Sequence, residues 1–65
     1  MNEKQICYRK ALELLIEYNN LAQKDFVKLL IAMDFSKEAI LSALNNLCEN
    51  PLVEYKLGNF KSLYY

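Results

Sequence analysis

The chain has 65 residues, 54% of them hydrophobic, with one glycine and one proline. That length leaves room for one domain, which buries only about 60% of its unfolded surface, and the composition excludes a disordered linker or a loop-rich disulfide scaffold. Eight Lys and Arg balance eight Asp and Glu, so the formal net charge is zero and histidine is absent; phosphate binding, which usually shows as a basic domain, would need local clustering of lysines.

From Glu3 to Tyr18, Cys7, Ala11, Leu14, Leu15 and Tyr18 recur at the spacing of one helical face, with Arg9, Lys10, Glu13 and Glu17 largely opposite. This predicts a first helix over 3–18. Tyr8, Leu12 and Ile16 form a second apolar stripe beside the first, expected either beneath a hairpin or as a homodimer seam. Asn19-Asn20 ends the helix, because Asn tolerates the left-handed conformation of a cap. A second helix is predicted over 22–33, with Phe26, Leu29, Leu30 and Met33 inward, Asp25 near its positive end, and Lys24 and Lys28 together on its surface.

Ser36 suits the N-cap of a third helix over 37–49, and Phe35 with Ile40 suits a hydrophobic staple that fixes the angle between the two helices. Ile40, Ala43, Leu44 and Leu47 point inward, and Asn50-Pro51 stops the helix because proline disfavours a helical residue before it. The period then changes to two. Strands Leu52–Leu57 and Phe60–Tyr65 flank Gly58-Asn59, a linker suited to a primed turn, so a hairpin is expected over 52–65. In that register Val53, Tyr55 and Leu57 share a face with Phe60, Ser62 and Tyr64, and Lys56 stands opposite Lys61. Two lysines so placed repel, unless an anion sits over them; edge lysines also discourage aggregation.

Cys7 and Cys48 both fall on apolar faces of their helices and read as buried free thiols. No C-x-x-C pair accompanies them, so no metal site and no cofactor are expected. The acidic residues are scattered, and without histidine or a nucleophile beside a base the sequence predicts no enzyme. The longest apolar run, Leu29 to Met33, is far short of the roughly 20 residues that cross a bilayer. Met1 to Gln5 leads into no signal-peptide core, so a soluble cytoplasmic protein is expected.

Helix, helix, tight turn, helix and hairpin is the order of the winged helix-turn-helix family. Leu21-Ala22-Gln23-Lys24-Asp25-Phe26, followed by Phe35-Ser36-Lys37-Glu38-Ala39-Ile40 and on to Leu47, resembles that family's helix-turn-helix, and Leu52-Val53-Glu54-Tyr55 resembles its strand leading into the wing. The resemblance implies a mainly α fold with a C-terminal β-hairpin as a single domain over 1–65. It also implies a recognition helix whose exposed residues are Ser36, Lys37, Glu38, Leu41, Ser42 and Asn45, with Lys56, Asn59 and Lys61 on the wing.

Two functions follow from that scaffold. The first is a small DNA-binding transcription regulator that reads double-stranded DNA through Ser36, Lys37, Leu41, Ser42 and Asn45, holds phosphates with the wing, and dimerises through Tyr8, Leu12 and Ile16. DNA-binding members commonly carry Arg on this helix and in the wing, whereas this chain has none after Arg9. The second is a protein-binding inhibitor or adaptor of a phage or mobile element, anti-CRISPR-like, that docks on a nucleic-acid-handling complex. Zero net charge, Leu41 and an expected exposed pair at Tyr64-Tyr65 point that way.

Overall fold

In the computed structural model, which describes residues 2–63, helix α1 spans Glu3–Tyr18. Asn2 and Gln5 start it with a reciprocal capping box: the Gln5 N–H donates to Asn2 Oδ1 at 2.9 Å and the Asn2 N–H to Gln5 Oε1 at 3.2 Å. Asn19 ends it in the left-handed conformation at φ 66°, its N–H donating to the Leu15 carbonyl. Cys7, Ala11, Leu14 and Leu15 are buried as the period requires. Tyr18, expected inward, is 53% exposed; it is the last helical residue.

The chain does not turn directly into the next helix. Asn20–Ala22 form a short strand, β1, that the sequence did not announce; three residues carry no alternation to read, and pairing with a distant strand is what makes them extended. Helix α2 then covers Gln23–Ala32. Ala22 offers it no capping side chain, and the Gln23 N–H instead donates at 2.8 Å to the carbonyl of Gly58, far along the chain. Phe26 and Leu30 are buried and Leu29 half-buried, but Met33, also expected inward, is 43% exposed. It lies past the last turn, where Asp34 takes φ 67°. The Asp34 N–H donates to Ile31 and the Phe35 N–H to Leu30, the bonding of a Schellman motif with Asp in the position usually held by Gly.

Helix α3 spans Lys37–Glu49, the predicted bounds. Ser36 Oγ accepts the Ala39 N–H at 3.2 Å, Phe35 packs half-buried on the core and Ile40 is buried. Asn50 closes the helix twice over: Oδ1 accepts the Leu52 N–H at 2.8 Å and Nδ2 donates to the Tyr8 hydroxyl at 2.9 Å. The thiol expectation holds for Cys7, which is fully buried, and fails for Cys48, which is exposed; both are free. Leu44 and Leu47 take the core positions and turn Cys48 outward.

Strands β2, Val53–Lys56, and β3, Asn59–Ser62, form the wing, and with β1 they make an antiparallel sheet of order β1-β3-β2. The turn is Leu57-Gly58, with φ 52° and 77°, and not Gly58-Asn59. The observed pairs are Val53 with Ser62, Glu54 with Lys61, Tyr55 with Phe60 and Lys56 with Asn59, so Lys56 does not oppose Lys61. Moving a two-residue turn by one position shifts each partner by two, and two is the side-chain period, so the inward set survives the change. The new register replaces a Lys–Lys pair by Glu54–Lys61, releases the Gly58 carbonyl to cap α2, and seats Phe60 between Leu21 and Tyr55. Phe60 meets Phe26 edge to face with ring centroids 5.2 Å apart. These two rings, with Leu15, Leu30, Ile40 and Leu47, fill the one core. Tyr64 and Tyr65, the last residues of the expected second strand, lie outside the described residues.

Candidate recognition surface

α3 packs on α1 and buries Ala39, Ile40, Ala43, Leu44 and Leu47, which leaves Glu38, Leu41, Ser42, Asn45 and Glu49 along its other side. Leu41 is 54% exposed, Asn45 is exposed and Ser42 half-buried. Leu41 and Asn45 line a groove of about 260 Å³ against the wing, whose other walls include Gln23, Cys48 and Tyr55. Tyr55 is held there by two contacts: its hydroxyl donates to Gln23 Oε1 at 2.8 Å and its ring lies 4.6 Å from that of Phe60. The sequence singled out Leu41 and Asn45. It gave no sign of Gln23 or Tyr55, because what recruits them is the docking of the wing on the start of α2.

Ser36 is exposed, as expected, and its donors are engaged within the chain. Its backbone N–H and hydroxyl both donate to the Glu3 carboxylate, at 2.8 and 2.9 Å. Glu3 therefore sits over the positive end of α3, where an incoming anion would otherwise bind. The backbone bond, then the hydroxyl bond, hold the Glu3 carboxyl below its ordinary value. Beside it Lys4 pairs with Glu38 at 3.2 Å. Burial, with the Glu3 charge second, pushes the Cys7 thiol up.

Lys37 is exposed at the first turn of α3, and Lys56, Asn59 and Lys61 are exposed on the wing. By strand alternation Lys56 and Lys61 stand on the sheet face opposite Tyr55 and Phe60, so they do not line the α3 groove. Lys24, Lys28, Lys37, Lys56 and Lys61 make no ion pair among the described residues. Of the second stripe on α1, Tyr8 and Leu12 pack half-buried against the chain's own core, leaving Ile16 39% exposed.

Among the described residues no group of acidic, cysteine or histidine side chains is placed to hold a metal, and no helix is long and apolar enough to cross a membrane. Three helices with a hairpin folded back over the third form a winged-helix-like arrangement. No family model, curated protein or solved structure matches the chain, so the arrangement itself is what it shares with that fold.

Proposed function

We propose that this domain is a protein-recognition module whose docking surface is the groove between α3 and the wing. The observation that carries the reading is the charge on α3. Its outward stripe bears Glu38 and Glu49, Lys37 is its only cation, and the Glu3 carboxylate occupies its N-terminus. With Glu38 already paired to Lys4 and the helix end covered by Glu3, this surface offers a phosphate backbone little net attraction. It suits a partner that offers an apolar anchor for Leu41 and Tyr55 flanked by basic side chains. Nucleic-acid-handling proteins present such basic surfaces, which agrees with an inhibitor or adaptor role of the kind mobile elements encode.

Leu41→Asp puts a charge in the groove at an exposed position, so the circular dichroism stays native while capture of the partner by the immobilised protein from source-cell extract is lost. A variant that captures the same protein as the wild type would overturn the assignment of this surface.

The DNA-regulator reading has one observation in its favour, the five lysines on α2, α3 and the wing that carry no ion pair among the described residues. Fluorescence anisotropy against a pool of short duplexes separates the two. Salt-sensitive binding that singles out some duplexes would replace the protein reading, whereas absence of binding even at low salt supports it.

A further inference from the structure

We infer that β2 is a self-complementary edge through which two copies of this chain join, antiparallel, into one six-stranded sheet. The proposal stands apart from whatever α3 binds. In the order β1-β3-β2 only one side of β2 is paired among the described residues, and Glu54, Tyr55 and Lys56 are all exposed. The Leu63 N–H donates to the Leu52 carbonyl at 2.8 Å, which marks Leu52 and Leu63 as a bonded pair. Antiparallel pairs alternate between bonded and non-bonded, so Glu54–Lys61 and Lys56–Asn59 are bonded as well. Tyr55 is then the residue whose N–H and C=O point away from β3, toward the open side.

A two-fold axis through Tyr55 uses both groups. Each Tyr55 N–H meets the Tyr55 carbonyl of the other copy, and the flanking positions become non-bonded pairs, in which side chains approach most closely. Those flanking pairs are Glu54 with Lys56 of the second copy, and Lys56 with its Glu54. Both residues are exposed on the outer face, and neither makes an ion pair within its own chain among the described residues. The sequence Glu-Tyr-Lys is therefore its own electrostatic complement when reversed. The same axis brings the Leu57 end of one strand, where Leu57 is 90% exposed, to the Leu52–Val53 end of the other, where Leu52 is 44% exposed. Such a contact is isologous and closes at two copies, which distinguishes it from the open-ended pairing that makes exposed edges hazardous.

The test is the mass of the full chain in solution, by light scattering and sedimentation from micromolar to millimolar concentration. The wild type shifts from monomer to dimer across that range. Glu54→Lys and Lys56→Glu each turn two attractive pairs into two repulsive ones and weaken association about tenfold or more. An equimolar mixture of the two single variants regains the dimer, and so does the double variant Glu54→Lys with Lys56→Glu, in which opposite charges again face each other. Circular dichroism confirms that each variant is folded. Three results would overturn the proposal: a wild type that stays monomeric to millimolar concentration, leaving the edge for a foreign strand; single variants that dimerise as the wild type does, placing the seam elsewhere, such as the α1 stripe; and no rescue on mixing or on double exchange.

Discussion

Leu57 occupies the first central position of the wing turn with φ 52°, and 90% of it is exposed. A residue other than Gly, Asn or Asp held in the left-handed region costs roughly 1–2 kcal/mol, and a side chain this exposed has little contact within its own chain to lose on replacement. Leu57→Asn builds the Asn-Gly pair that primed turns favour and relieves about 1 kcal/mol of that strain. In a domain of this size such a gain raises the melting temperature by about 4–8 °C. Urea denaturation gives the matching change in midpoint, with an unchanged slope because the buried surface is the same. The sign of the effect also tests the register. Had the turn been Gly58-Asn59, Leu57 would lie in a strand with negative φ, and asparagine there would destabilise through its poor fit to a pleated sheet. A variant less stable than the wild type would refute the turn and the pairing derived from it.

Glu3→Gln removes the charge from the latch over α3. The Glu3 carboxyl is lowered in the folded state from the ordinary 4.5, so the stability it contributes is present above that value and is lost as pH falls through the lowered folded value. The variant should be less stable than the wild type at neutral pH, with the gap closing in acid; a gap that stays constant with pH would exclude the charge as its origin. The two thiols should separate cleanly under a maleimide in the folded protein: Cys48, exposed, reacts, while Cys7, buried and with its thiol pushed up, reacts only after denaturant is added. Equal labelling of both in native buffer would contradict the core.

The helices were legible because each carries its own boundary chemistry. Ser36 and Asn50-Pro51 bracket α3 to the residue, and Asn19 stops α1 in the conformation that Asn tolerates. The inward set of the wing was legible for a different reason: Val53, Tyr55, Phe60 and Ser62 share a face in either register. What was hidden rests on long-range partners. β1 exists because Leu21 and Ala22 find Phe60 and Asn59, and the turn settles on Leu57-Gly58, an arrangement in which Gly58 also caps α2. Local turn preference alone favours Gly58-Asn59, so the tertiary contacts outweigh it. The site divided along the same line. Periodicity exposes Leu41 and Asn45, but nothing local to Glu3 indicates a bond to a serine 33 residues away.

Zero net charge conceals a partition that bears directly on function. On α1, Lys4 and Lys10 are engaged with Glu38 and Glu13, and Glu3 holds the start of α3, whereas the lysines beyond α1 have no acidic partner among the described residues. A duplex against α3 would meet Glu38 and Glu49 and would have to displace Glu3, each close like-charge contact costing about 1 kcal/mol even in water. A basic protein surface gains from the same groups. Charge reversal at Glu38 therefore moves the two functions in opposite directions. Glu38 is 80% exposed and its ion pair with Lys4 is at the surface, so Glu38→Lys should change stability little. It should weaken capture of a basic partner, more so at low salt than at high. It should strengthen any affinity for duplex DNA and steepen its salt dependence by about one further counterion. Unchanged affinity for both ligands would mean that neither electrostatic account describes this helix, and the groove would then act through Leu41 and Tyr55 alone.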